Sequence, residues 1–120
     1  MDSILDSVKN YCGIMSDDTA FDNDILMAIN AVMIVLSQLG VGPSEPFVVE
    51  DSTQEWSELL GDEPAGLVRE YVNMRSRMLF DPPTSSQLME ALRNSIDECE
   101  WRIIADVDKA YYKAREVNSE

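Results

Sequence analysis

The fold of this chain is decided by one stretch, Leu67–Leu92, which reads LVREYVNMRSRMLFDPPTSSQLMEAL. Apolar residues recur in it at intervals of three and four up to Leu79, which predicts a helix. Two consecutive prolines then end that helix, because proline lacks a backbone N–H and restricts the residue before it. Ser85 or Ser86 is a suitable N-cap for a second helix. The stretch therefore predicts two helices joined at a structural corner formed by Phe80, Asp81, Pro82 and Pro83.

Three further helical patterns precede this corner. The first runs from Ser3, its expected N-cap, to Cys12. The second runs from Asp22 to Leu39 and is apolar over most of its circumference, which is typical of a central helix packed on several sides. A short third helix follows Ser52 and Glu55, whose spacing fits a capping box. Pro64 fits the first turn of the fourth helix, the one that ends at the corner.

One segment between the second and third helices, Val41–Thr53, departs from the helical pattern. Its Gly-Pro and Glu-Pro pairs exclude a continuous helix. The residues Pro46–Glu50 favour an extended backbone, as a short strand or as a loop. We therefore predict an all-α bundle of about five helices with one extended loop or short strand segment at this point.

The last predicted helix carries an apolar stripe with steps of three and four, formed by Leu88, Leu92, Ile96, Cys99 and Ile103. Beyond Ala105 the sequence becomes mixed in charge, and it either continues the helix or forms a tail. We therefore divide the chain into a helical domain, 1–105, and a C-terminal extension, 106–120. Tyr111 and Tyr112 in this polar extension are typical of a docking segment; the alternative is that they fold back onto the helix.

The charge of the chain is strongly negative. It has 23 acidic and 9 basic side chains, a formal net charge of −14. Such a surface repels phosphate and disfavours non-specific binding of nucleic acid. The acidic surface serves either solvation alone or a function that works by repulsion.

A basic cluster contrasts with this charge, since Arg69, Arg75 and Arg77 follow one another with Glu70 as the only acid among them. We interpret these arginines as salt-bridge partners, either of the chain's own carboxylates or of those of an adjacent copy. An anion-binding site is the less favoured interpretation.

The sequence contains no recognisable catalytic or metal-binding constellation. It has no histidine, the side chain most used for proton transfer near neutral pH, and no GxSxG, HExxH, P-loop or GxGxxG motif. Asp17–Asp24 is acidic but lacks the glycine and the bidentate glutamate of a calcium loop. Cys12 and Cys99 are far apart and form no CxxC pair. We therefore predict a protein that is not an enzyme and that binds no metal or cofactor.

A membrane location is also disfavoured. The N-terminus has no basic segment of the kind that begins a secretory signal. The segment Ile25–Ser44 carries no charged residue, but polar residues and a glycine interrupt its apolar run. It falls short of the roughly 20 mainly apolar residues of a spanning helix. We interpret it as a core helix of a soluble protein.

Several short blocks of the sequence occur in a distinctive order: Val8–Ile14, Phe21–Ile25, Ile29-Asn30, Leu36–Gly42, Trp56, Tyr71-Val72, Arg77–Ser86 and Glu98–Arg102. In this ordered set the chain resembles the small head–tail connector, or adaptor, proteins of long-tailed bacteriophages. The blocks cover about the first hundred residues, and the chain after Ile104 has no clear counterpart.

The resemblance implies a structural role in the virion neck, between capsid and tail, for a protein made in the cytoplasm of the host bacterium. In such proteins a helical bundle assembles into a ring, generally of about twelve copies, closed by a repeated contact between neighbours. The ring docks on the portal after DNA packaging and offers a surface to the tail-side stopper or completion protein. DNA passes through the centre without specific binding, and an acidic channel wall would let it slide.

The resemblance also suggests roles for two groups of residues. The C-terminal segment of such proteins reaches toward the portal, so portal docking is assigned as a hypothesis to Tyr111, Tyr112, Lys113 and Arg115. The subunit interface is assigned, also as a hypothesis, to Arg69, Arg75 and Arg77.

Two other functions stay open at the level of the sequence. One is a small helical regulatory adaptor that binds a single protein partner in a bacterial cell. The other is an acidic mimic of nucleic acid that blocks a DNA-binding protein.

Overall fold

The computed structural model describes residues 2–62 and 65–118, with side chains to Arg115. Its helices are α1 (Ile4–Tyr11), α2 (Asp22–Gln38), α3 (Trp56–Leu60), α4 (Gly66–Phe80) and α5 (Ser86–Asn118). The only β-pairing within these ranges is an isolated bridge between Ser3 and Glu55. The prediction of an all-α fold with five helices is confirmed. None of the described helices is long and apolar enough to cross a membrane.

Helix α4 is the centre of the bundle, because it packs against α1, α2 and α5. Its Tyr71, Val72 and Ser76 are fully buried. The expectation that α2 is packed on several sides was wrong. α2 buries one face against α1 and α4, whereas Met27 and Ile34 on the opposite face are 73% and 50% exposed.

The helix starts were predicted with mixed success. Ser3 caps α1 as expected, since its Oγ accepts a hydrogen bond from the Asp6 N–H at 3.2 Å. The N-cap of α2 is Phe21 rather than Asp22. The Asp22 carboxylate instead lies 2.8 Å from the Nζ of Lys9, a buried cation on α1. Pro64, expected in the first turn of α4, lies outside the described residues.

The capping box of α3 was predicted three residues too early. Glu55 is the N-cap, and Glu58 completes the reciprocal box with it. The chain before Glu55 is instead held in a turn, in which Gln54 Oε1 accepts from the N–H groups of Glu50 and Asp51. This side-chain turn keeps Ser52 outside the helix, so the capping box forms three residues later, between Glu55 and Glu58.

The segment between α2 and α3 is an extended loop without strand pairing. The side chain of Asn30 replaces a partner strand, because it both accepts from the Val49 N–H at 2.8 Å and donates to the Val49 carbonyl at 3.0 Å. Val49 itself is buried. At Gly42, where φ is +81°, a Cβ would lie 2.9 Å from Cδ1 of Leu59. Asn30 and Gly42 therefore hold this loop against α2 and α3.

The corner between α4 and α5 lies where it was predicted. Helix α4 ends at Phe80, and α5 begins at Ser86. The Oγ of Ser85 accepts from the Leu88 N–H at 3.4 Å, which identifies Ser85 as the capping serine. The ring of Phe80 meets that of Phe21 edge-on at 6.0 Å, so the corner is packed against the start of α2.

Helix α5 buries only the middle of its predicted stripe. Ile96, Cys99 and Ile103 are buried, and Leu92 is half-buried. Leu88, the first residue of this stripe, is 62% exposed. The physical reason is that α5 has α4 as its main packing partner, and its first turn lies beside only the end of that helix.

Candidate interaction site

The arginines of α4 have different surroundings. Arg75 donates from Nη1 to the Tyr71 hydroxyl at 2.7 Å, and that hydroxyl donates to Glu100 on α5 at 2.9 Å. Arg69 lies over the ring of Trp56, in α3, at 5.5 Å. Arg77 lies close enough to Cys12, after α1, for its charge to lower the pKa of that thiol, which burial raises more strongly. The structure therefore does not bring the three arginines together on one face.

Tyr71 joins α4 to α5 through a buried phenol. Burial, which outweighs the hydrogen bond from Arg75, raises the pKa of Tyr71 to about 12. The hydroxyl therefore stays protonated and continues to donate to Glu100 over the physiological range. Arg75 and Glu100 form an ion pair at 3.5 Å with about a third of each side chain exposed. Arg75 thus satisfies a carboxylate of its own chain, one of the two alternatives that the sequence left open.

Three ion pairs occur among the described residues. Besides Arg75–Glu100, they are the pair of Lys9 and Asp22 and the exposed pair of Arg102 and Glu98. Arg69 and Arg77 belong to none of these pairs.

The end of α5 projects from the bundle. The helix has 33 residues and spans about 50 Å, close to the 54 Å of the molecule's longest axis. Val107 is partly buried beside Gly40, and the described side chains after it are all exposed. Tyr111 and Tyr112 are 60% and 61% exposed, and their rings meet edge-on. The helix therefore presents its aromatic end, with Lys113 and Arg115, to solvent.

Two apolar faces were missed by sequence reasoning. On α5, Trp101 and Ile104 are 70% and 38% exposed, and they point away from the buried stripe. On α2, the exposed face carries Met27 and Ile34. The absence of charge from Ile25 to Ser44 is the available signal, although on its own it favours burial within one chain. An uncharged helix face is equally compatible with burial between chains.

The charge is distributed unevenly along the chain. Residues 1–62 contain twelve acidic side chains and a single cation, Lys9, which is buried against Asp22. Residues 63–120 contain eleven acidic and eight basic side chains. The exposed charges of the first half are thus all acidic, whereas the charges of the second half are nearly balanced.

The surface carries depressions besides the exposed helix faces. Two depressions among the described residues, of about 250 and 260 Å³, both have Arg69 in their lining. Within residues 2–62 and 65–118, no group of three or more acidic or cysteine side chains is placed to hold a metal ion. The features that stand out are exposed apolar helix faces and charge, which are properties of protein interfaces.

Comparison with known proteins identifies the family. A family model described as phage connector protein matches residues 4–110. No curated protein and no solved structure matches the chain. The match runs from the first residue of α1 into the projecting part of α5, and so covers most of the chain, with α1 to α4 complete and α5 as far as residue 110. The chain therefore belongs to the phage connector protein family.

Proposed function

We propose that this protein is a head–tail adaptor, which forms a ring between the portal and the tail-side stopper and encloses the channel through which DNA passes. The observation that carries the proposal is the family match over residues 4–110. A phage connector is a component of the virion, and its activity is assembly rather than catalysis. Exposed apolar residues on α2 and α5 support an assembling protein, since exposed apolar patches mark sites of protein interaction.

The acidic surface has a mechanical role in this proposal. Residues 1–62 supply the excess of carboxylates, and most of them are exposed. Like charge on a channel wall repels the phosphate backbone and prevents adhesion of the moving DNA. Neutralising exposed carboxylates of this half, for example by Asp17→Asn with Asp18→Asn, is expected to slow DNA ejection, and an unchanged rate would count against the acidic wall.

The projecting end of α5 is the proposed portal-docking segment. Tyr111 and Tyr112 provide rigid, amphipathic contact area, and Lys113 and Arg115 provide charge. Because the helix is already formed, docking does not have to order a flexible tail, which lowers the entropic cost of binding.

The arginines of α4 are the proposed basic side of the ring contact. Arg77 has the simplest test, because it belongs to none of the described ion pairs. Arg75 also holds Tyr71 and Glu100, so its replacement disturbs the fold as well. Arg77→Glu is expected to weaken ring formation, with Arg102→Glu as a control at an exposed ion pair. Equal ring formation by both variants would remove Arg77 from the interface.

The direct test of the proposed function is capture of this chain by the portal protein encoded in the same phage genome. Wild-type chain is expected to be retained on immobilised portal rings, and Tyr111→Ala with Tyr112→Ala to reduce retention strongly. Leu88→Ala is the matched control, since Leu88 lies on the same helix with an exposure of 62%. Absence of retention for the wild-type chain would refute the proposal.

A further inference from the structure

A polar depression lies between α1 and α4. It has a volume of about 260 Å³, and all the side chains that line it can form hydrogen bonds: Ser7, Asn10, Tyr11, Arg69 and Asn73. The three on α1 are spaced by three and one residues and the two on α4 by four, so each set lies on one side of its helix. The two helices pack against each other. The depression is therefore built by packed helices rather than by a loop.

Two donors of this lining have no hydrogen-bond partner among the described residues. Asn73 is only 6% exposed, and its Oδ1 accepts from the Ser7 hydroxyl at 3.3 Å, whereas its Nδ2 donates to no atom of these residues. The Nε of Arg69 is buried and also lacks a partner. Buried polar groups of a folded protein almost always have one. A group that accepts hydrogen bonds would therefore complete this lining.

The charge of the lining favours an anion. Arg69 is the only charged residue among those that line this depression, on a chain whose net charge is −14. The other depression beside Arg69 is also lined by Asp2 and Glu55, whose carboxylates would repel an anion. The ring of Trp56, 5.5 Å from the Arg69 guanidinium, restrains this cation without neutralising it. An anion is therefore accommodated between α1 and α4 rather than beside α3.

The anion that fits this lining best is a carboxylate. One guanidinium balances one negative charge, whereas a phosphate monoester carries about −1.5 to −2 near pH 7. A nucleic acid would bring further phosphates toward a chain of net charge −14, which repels them. The planar fork of arginine also matches the two oxygens of a carboxylate. The volume is below the roughly 300–1,000 Å³ of pockets for whole small molecules, which favours a single side chain.

We propose that this depression binds the carboxylate of an aspartate or glutamate side chain from a protein partner. Arg69 pairs with the carboxylate, and the Asn73 Nδ2 and the Tyr11 hydroxyl donate to its oxygens. Ser7 orients Asn73 through their hydrogen bond. The inference deepens the proposed role of the α4 arginines by naming what Arg69 binds. It rests on the proposed function for the source of the carboxylate, which is a second copy or the portal.

Titration with a small carboxylate tests the ligand chemistry without ring or portal. The probe is glutamate blocked as its N-acetyl methylamide, and the matched control is the same derivative of glutamine, which has the size without the charge. Chemical shifts of the isotope-labelled chain report binding. The glutamate derivative is expected to shift the Asn73 side-chain amide and to bind at least about tenfold more tightly than the control. Equal binding of the two, or binding of neither, would overturn the proposal.

Inorganic phosphate is the competing probe in the same titration. It is expected to bind more weakly than the glutamate derivative, because the lining offers a single cation. Tighter binding of phosphate would overturn the assignment to a carboxylate.

Variants locate the binding on the chain. Arg69→Gln is expected to weaken binding of the glutamate derivative by at least about tenfold, with Arg102→Gln, at an arginine 60% exposed on α5, close to wild type. Tyr11→Phe removes only a hydroxyl and should weaken binding by about three- to tenfold, with Tyr112→Phe as its control. Circular dichroism checks that each variant is folded. Unchanged binding by Arg69→Gln and Tyr11→Phe would place the ligand elsewhere and overturn the proposal.

Cross-linking identifies the source of the carboxylate. Arg69→Lys places an amine in the depression, and a carbodiimide joins it as an amide to a carboxylate in contact with it. Links of residue 69 formed on the portal are mapped by peptide mass spectrometry, with Arg102→Lys as the control for an exposed amine. We expect a link to a second copy or to the portal, and its position names the source. Links confined to a single chain, on portal that retains the variant, would overturn the proposal.

The outcomes separate this inference from the proposed function. Failure of the glutamate derivative to bind would overturn the carboxylate site and leave capture by the portal standing. Failure of the wild-type chain to bind the portal would overturn the proposed function, while the titration would still decide whether the site binds a carboxylate.

Discussion

Helices α4 and α5 carry apolar stripes of similar spacing, yet the fold uses them differently. α4 is surrounded by α1, α2 and α5, and its Tyr71 and Val72 are fully buried. α5 buries only its middle turns, and after Val107 it runs on into solvent. The difference indicates that α4 stabilises the fold of the single chain, whereas α5 offers surface for contacts with other copies or partners. Substitutions near α4 should therefore affect folding, and substitutions on the outer faces should affect assembly.

The largest effect on stability is expected in the core that faces α4. Ile29→Ala removes a fully buried side chain of α2 and leaves a cavity, which typically costs about 2–5 kcal/mol. Met27→Ala, two residues away on the exposed face, should change the free energy of unfolding by less than about 0.5 kcal/mol. Urea denaturation of both variants measures the difference. Equal destabilisation by the two substitutions would contradict the assignment of inner and outer faces to α2.

The next largest loss of stability is expected when Lys9, the buried cation of α1, is replaced. Lys9→Met leaves Asp22 without its partner and removes the donor to the Ser16 carbonyl, at 3.0 Å. Because Asp22 is 25% exposed, the expected cost is about 2–3 kcal/mol, below the value for a fully buried pair. Arg102→Met removes an exposed pair with Glu98 and should cost at most about 0.5 kcal/mol. Similar melting temperatures for the two variants would show that the buried pair of Lys9 and Asp22 stabilises the fold no more than the exposed pair does.

A pH-dependent effect is expected where α4 meets α5. The pKa of Tyr71 is about 12 in the folded chain, above its ordinary value of 10.0, because burial disfavours the phenolate. The unfolded chain therefore loses this proton at lower pH than the folded chain, and the associated stability is complete below pH 10 and declines as pH rises through 12. Tyr71→Phe should flatten this decline in denaturation experiments, and Tyr112→Phe should not. An unchanged decline in the Tyr71 variant would refute the assignment.

The smallest effect on folding is expected at the end of α5. Removal of residues 108–120 deletes no buried side chain among those described, so we expect less than about 1 kcal/mol of destabilisation. The same truncation should abolish retention on the portal. A large loss of stability would mean that the helix end is part of the fold rather than a docking element.

Local rules predicted most of the fold. Two prolines and a capping serine placed the corner at residues 81–85, and a serine cap placed the start of α1. The cap of α3 was misplaced because Ser52 and Glu55 have the same spacing as Glu55 and Glu58, and only the turn made by Gln54 distinguishes them. Local spacing is therefore sufficient where one signal dominates and insufficient where two compete.

The interaction surfaces were less predictable, because periodicity does not reveal what covers an apolar face. Leu88 and Ile96 belong to one sequence stripe, but only Ile96 has neighbours to bury it. Met27 and Ile34 lie in the most apolar helix, where burial inside the chain was the natural expectation. Whether such residues are buried can be decided only when the positions of the other helices are known.

The most direct test of the connector assignment is the number of copies that bind the portal. Native mass spectrometry or electron microscopy of portal rings incubated with excess chain measures it. A connector is expected to saturate at a fixed number of copies and to form a closed ring seen end-on. A chain that stays monomeric and leaves the mass of the portal unchanged would contradict the assignment.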